Sequence, residues 1–180
     1  MNTFEIMLTI IAILIAILLI SAASLKKDYT IKREVVINKP KQEVFNFIRL
    51  LRNHSKFNKW TMMDPNMRME YIGIDGTAGF VSAWDSDVKN VGKGEQEIKK
   101  VMDGERIDYN LRFIKPFEGK AGAFMTTESI SDRQTRVNWA INGERNFLLK
   151  IMYIIMSMEK KLGDDLQTGL KNLKVVLEKE

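Results

Sequence analysis

Ile6 to Leu25, IMLTIIAILIAILLISAASL, is twenty residues without a charge. A helix of that length covers about 30 Å, the hydrocarbon thickness of a bilayer. It is apolar on every side, so it lacks the wet face of an amphipathic core helix. Three readings fit: a membrane anchor, a cleaved secretory signal ending near Ser21-Ala22-Ala23, and a buried core helix. No Lys or Arg precedes the run, where only Glu5 is charged, and the run outlasts the apolar core of a signal. The anchor is the expectation, as residues 1–25, with a folded domain over residues 26–180.

Beyond the apolar run the pattern changes period. Tyr29, Ile31, Val35 and Ile37 alternate with Lys32 and Glu34, which predicts a strand from Tyr29 to Ile37. Pro40 then suits the first position of a helix, and Val44, Phe45, Phe47, Ile48 and Leu51 give Lys41–Leu51 an apolar stripe. Ser55 could cap a short second helix through Trp60. Six further strands are predicted at Met67–Ile74, Phe80–Ser86, Gly94–Met102, Arg106–Ile114, Lys120–Ser131 and Thr135–Asn142. Asp75-Gly76, Asp103-Gly104 and Ser131-Asp132-Arg133 supply the turns. In the fifth strand Ile107, Tyr109, Leu111 and Phe113 oppose Arg106, Asp108, Asn110 and Arg112; in the last, Val137, Trp139 and Ile141 oppose Arg136 and Asn138. The result is an antiparallel sheet with one apolar face.

From Phe147 an apolar stripe through Leu148, Ile151, Met152, Ile155, Met156, Leu162, Leu166, Leu170, Leu173 and Leu177 predicts one long helix to Leu177. Phe147–Met158 is too short for a second span and contains Lys150, so it reads as buried. The fold class is α+β: a curved antiparallel sheet of about seven strands around a long C-terminal helix, preceded by one transmembrane helix.

Composition narrows the chemistry. There is no cysteine and one histidine, which excludes disulfides, thiol nucleophiles and Cys- or multi-His metal sites. No cofactor or metal site is expected. The net charge of +5 (28 basic, 23 acidic residues) is dispersed among both signs, and no RNP-like run is present, so nucleic acid is not an expected partner. Lys26, Lys27, Lys32 and Arg33 follow the apolar run, and the positive-inside rule puts the domain on the cytoplasmic side of the cell membrane.

The ordered series IKREVVINKPKQEVFNFI, RNHSKFNKW, DPN, GKGEQEI, ERIDYNLRFIKPF, TRVNWAINGE and LGDDLQTGLKNLK resembles the SRPBCC superfamily. Specifically it resembles the polyketide cyclase/dehydrase and lipid transport branch of the START-like, helix-grip fold, over residues 29–178. That resemblance implies an apolar cavity between the sheet and the C-terminal helix, and a hydrophobic small molecule or lipid as ligand. It leaves activity open, since a few members are enzymes and others are regulatory or partner-binding domains.

The apolar positions alone fit either a filled core or a cavity wall. With the resemblance, the expected ligand-binding residues are Met69, Tyr71, Trp84, Tyr109, Leu111, Phe113, Phe124, Trp139, Met152 and Met156. Met67, Phe80, Ser82 and Val137 share their faces. Trp84, Tyr109 and Trp139 carry a polar group on a large apolar body, suited to orienting a ligand. No catalytic residue is assigned; an enzyme would draw on Tyr109, Arg112 and Asp85 as polarising groups. His54 reads as a surface or capping residue beside Arg52 and Lys56. Asp85, Asp87, Glu95 and Glu97 read as a solvated hairpin among lysines. Gly163 and Gly169 on the long helix read either as room for a ligand or for close helix–sheet approach, or as glycines that are simply tolerated.

Overall fold

The computed structural model describes residues 2–179. Helix α1 (Thr3–Ser24) opens on a capping box: the Asn2 side chain accepts from the Glu5 backbone N–H at 2.9 Å, and the Glu5 carboxylate accepts from the Asn2 N–H at 3.0 Å. Three of its hydroxyls are satisfied internally: Thr9, Ser21 and Ser24 donate to carbonyls four residues back at 2.7–2.9 Å. Nearly all of α1 is exposed, and it is long and apolar enough to cross a membrane.

Seven strands follow: β1 (Asp28–Ile37), β2 (Arg68–Ile72), β3 (Val81–Asp85), β4 (Lys93–Met102), β5 (Arg106–Lys115), β6 (Gly119–Ser131) and β7 (Gln134–Glu144). They form one antiparallel sheet in the order β1-β7-β6-β5-β4-β3-β2. Register shifts between Ile98 and Lys100 and between Ser129 and Ser131 add bend where the sheet curves. The connection from β1 to β2 carries α2 (Lys41–Ile48), a 3₁₀ helix (Leu51–Lys56) and α3 (Lys59–Met62). This segment is more broken than predicted. Ser55 does not cap a helix but donates to the Arg52 carbonyl, whereas Asn58 caps α3 by accepting from the Trp60 N–H at 3.0 Å.

The C-terminal stripe is not one helix but two, α4 (Phe147–Ile155) and α5 (Met158–Lys179). They are separated at Ser157, whose φ of 50° ends α4 in the left-handed region. That conformation costs an L-residue with a Cβ roughly 1–2 kcal/mol. Ser157→Gly should therefore stabilise the domain by about 1 kcal/mol, read as a raised denaturation midpoint; a lowered midpoint would show that the Ser157 side chain is needed at the break.

Helix α5 is the gripping helix: Leu166, Leu170, Leu173 and Leu177 are buried against the concave face with Ile31, Ile37, Ile98, Ile107 and Met125. Both of its small residues serve close approach. A Cβ at Gly169 would lie 2.7 Å from the Trp139 ring, and one at Gly163 would overlap the Arg33 guanidinium. Helix α4, in contrast, contains no fully buried residue. Phe147, Leu148 and Ile155 are half or more exposed, so the expectation that this segment is buried does not hold. It packs against α1, and Tyr153 is its contact with the core, meeting Tyr29 of β1 at 5.8 Å.

Candidate functional site

The void between sheet and helix arises in β6. The register sets Ala121 opposite Leu111 and Ala123 opposite Tyr109, so the inward positions of β6 at this level are methyl groups. Above them α5 presents Met158 and Leu162, and between the two layers lies a cavity of about 390 Å³. That volume falls within the range of small-molecule pockets.

The floor is built by Leu111 and Phe113 from β5, Ala121 and Ala123 from β6, and Trp139 and Ile141 from β7. One wall is Met67, Met69, Ser82, Trp84 and Gln96; the other is Leu51, His54, Asn58, Trp60 and Thr61. Asn90, Val91 and the Lys115–Phe117 loop form the rim, and Phe117 is 75% exposed there. Gly92 lets these rim loops meet: its φ is +63° and a Cβ would strike the Lys115 carbonyl.

Five of the ten expected ligand-binding residues line this cavity: Met69, Trp84, Leu111, Phe113 and Trp139. The other five lie elsewhere. Phe124 is on the outer face, opposite Asp108, with the Arg106 guanidinium 4.0 Å from its ring centre. Phe124 and Met125 are both apolar, so composition leaves the phase of the alternation undecided, and the pairing with β5 turns Met125 inward. Tyr71 faces inward but stacks on Phe80 at 6.1 Å, under Arg52. Tyr109 is fully buried on the same inward face of β5 as Leu111, but packs against His54 and does not line the cavity. Met152 belongs to α4 and Met156 is its C-cap, and neither lines the cavity.

The polar handles also differ from expectation. The Trp84 indole N–H donates to the Val91 carbonyl at 3.3 Å, holding the rim loop. The Tyr109 hydroxyl has no protein partner and is closed off from solvent, and burial pushes its pKa up. Arg112 pairs outward with Glu95 at 3.3 Å, while Asp85 binds Lys93 at 3.0 Å and Arg68 at 3.3 Å. Tyr109, Arg112 and Asp85 therefore do not converge on the cavity.

His54 is not a surface residue. It is 4% exposed, with its ring packed near Phe57, Tyr109 and Trp139 at 4.9–6.4 Å. A carbonyl only accepts, so Nε2–H donates to the Ile48 carbonyl at 3.0 Å and Nδ1 is the unprotonated nitrogen. Desolvation lowers the pKa to about 4, against smaller opposing effects of the Ile48 bond and Asp75. Asp75 also fixes the 3₁₀ helix that carries His54, accepting from the backbone N–H of Leu51 at 2.8 Å and Arg52 at 3.1 Å. This cap comes from the β2–β3 connection, twenty-odd residues on, beyond the reach of local pattern.

The polar residues of the cavity wall that pattern reading passed over are His54, Asn58, Thr61 and Gln96. For Gln96 a signal existed: Gly94, Gln96 and Ile98 alternate with Glu95 and Glu97, which places an uncharged amide on the inward face of β4. Among the described residues no group of three or more His, Asp or Glu side chains is placed to hold a metal ion. What the arrangement supports is enclosure of an apolar body, with a few neutral hydrogen-bonding groups on its walls.

No protein-family model matches the chain, and no curated protein matches it in sequence. Solved structures do share its architecture. Truncated norcoclaurine synthase from Thalictrum flavum aligns with a TM-score of 0.60 at 10% identity, over 84% of this chain and 94% of that one. Ara h 8.0201 aligns at 0.55 with 12% identity, over 85% and 99%. A Thermobifida fusca protein aligns at 0.61 with 15% identity, over 81% and 90%. At these identities the likeness establishes the helix-grip fold: a curved seven-stranded sheet closed on a long C-terminal helix.

Proposed function

We propose that this helix-grip domain is a membrane-anchored binding module of the polyketide cyclase/dehydrase and lipid transport type, taking a hydrophobic small molecule or lipid into the cavity under α5. The observation that carries the reading is the cavity of about 390 Å³, floored by Leu111, Ala121, Ala123, Trp139 and Ile141. Helix α1 tethers the module to the cell membrane, and the Lys26, Lys27, Lys32 and Arg33 group orients the domain toward the cytoplasm. An acyl or polycyclic ligand burying roughly 300 Å² of apolar surface gains about 7.5 kcal/mol before the costs of association. That suffices for reversible capture without covalent chemistry.

The test is the full chain purified in mild detergent and analysed by native mass spectrometry, alongside Ala121→Trp. The wild type should carry a co-purifying apolar molecule or take up a fluorescent acyl probe. The indole at position 121 should fill the floor and weaken probe binding at least about 100-fold, equivalent to about 2.7 kcal/mol, with the circular dichroism spectrum unchanged. Equal probe binding by both proteins, or none by the wild type, would overturn the assignment of the cavity.

A further inference from the structure

Helix α4 and its C-cap Met156 present Phe147, Leu148, Leu149, Ile155 and Met156 outward, each between 42% and 65% exposed. Contiguous apolar surface of this kind marks contact with a protein partner or a membrane. The position of α4 decides between them. It packs against α1, and the only residues between Thr3 and Leu25 that are not fully exposed are Leu18, Ala22 and Leu25, with Ala22 completely buried. Their spacing of four and three residues makes one stripe on the last two turns of α1. From Leu18 to Leu25 that stripe covers about 10 Å of helix axis, the depth to which amphipathic helices enter the headgroup and acyl boundary.

A clamp keeps α4 at this level. The Arg145 guanidinium lies over the rings of Tyr29 and Tyr153, 5.1 and 4.2 Å from their centres, and the two rings meet each other at 5.8 Å. Its backbone N–H donates to the Lys27 carbonyl at 2.8 Å, and Asn146 caps α4 by accepting from the Leu149 N–H at 2.8 Å. The point where the chain leaves α1 is thus tied to the start of α4. Close to it along the chain, Lys26 and Lys150 have no carboxylate partner among the described residues, which suits anionic headgroups. One turn beyond α4, Met158 and Leu162 roof the cavity whose rim carries exposed Phe117.

We propose that α4 lies in the plane of the membrane interface with its apolar side in the acyl region, setting the cavity rim against the leaflet so that ligand passes between bilayer and cavity without crossing water. This placement rests on α1 spanning the bilayer, and the test separates the two. The chain has no cysteine, so single cysteines can be labelled cleanly in the full-length protein. An environment-sensitive fluorophore is attached at Leu148→Cys or Ile155→Cys in α4, at Ile11→Cys in the middle of α1, and at Asp132→Cys in the distant β6–β7 turn. The proteins are reconstituted in vesicles of phosphatidylcholine and phosphatidylglycerol carrying nitroxides at shallow or deep positions.

The expected result is a blue shift at both α4 sites with loss of emission to shallow nitroxides, loss at Ile11 to deep nitroxides, and no loss at Asp132. Deep quenching at Ile11 with water-like emission at both α4 sites would overturn the interfacial placement and leave the anchor standing. No quenching at Ile11 would overturn the anchor and this placement with it. Two α4 sites guard against local damage from one substitution, and far-UV circular dichroism confirms that each labelled protein is folded.

Discussion

Truncating Trp139 to alanine should lower the folding free energy by about 3–5 kcal/mol, the range for deleting a large aromatic from a core. The indole joins three parts of the domain. It lies on β7 between its register partners Arg33 of β1 and Met125 of β6. Its ring meets Phe57 at 5.8 Å and Trp60 at 6.2 Å in edge-on contacts, which ties the broken α2–α3 segment to the sheet. It also fills the space left by Gly169, so it sets the distance of α5 from the sheet. The space vacated by the ring would merge with the ligand cavity, so neighbours have little tendency to collapse into it. Urea denaturation of the two proteins measures the loss. A value under about 1 kcal/mol would show that the indole is only cavity lining and not the joint between helix and sheet.

Acidification should cost the domain up to about 3 kcal/mol between pH 6.5 and pH 4, through His54 alone. The sign follows from proton binding. The unfolded chain titrates near 6.5 and the folded one near 4, so between these values the unfolded state binds the extra proton. Stability from the neutral imidazole is complete above pH 6.5 and is lost as pH falls through that window; below pH 4 both states are protonated and the slope vanishes. Carboxylates such as Asp85 and Glu178, held below their usual range by hydrogen bonds to the Lys93 side chain and the Asn38 backbone, lose their contribution at more acid pH. His54 is the only histidine, so its resonances report the folded-state titration directly. His54→Gln, which can still donate to the Ile48 carbonyl, should flatten the slope between pH 6.5 and 4. A slope that persists in that variant, or a resonance titrating near 6.5 in the folded protein, would contradict the burial of the ring.

Much of the architecture is legible along the chain because a half-buried strand must alternate. Ile107, Tyr109, Leu111 and Phe113 share a face, as do Val137, Trp139 and Ile141, and in both of these strands the inward face is the one the alternation indicates. The leucine spacing of α5 and the unbroken apolar run of α1 are equally local properties. The candidate site is less legible, since it depends on what fails to fill the space between layers. The inward alanines of β6 look unremarkable in sequence, and their consequence appears only when the register puts them opposite Leu111 and Tyr109.

Periodicity along this chain therefore determines seven strands, a gripping helix and an apolar N-terminal helix, because each of those needs only near neighbours in sequence. Three matters were decided by contacts between distant segments: the face on which Phe124 lies, the burial of His54 under a cap from Asp75, and the break at Ser157 that turns α4 toward α1. No glycine or proline marks that break, and the apolar stripe runs on through it. It exists because α4 and α5 have different surfaces to cover, and a stripe records that a helix has an apolar side without recording which surface that side will meet.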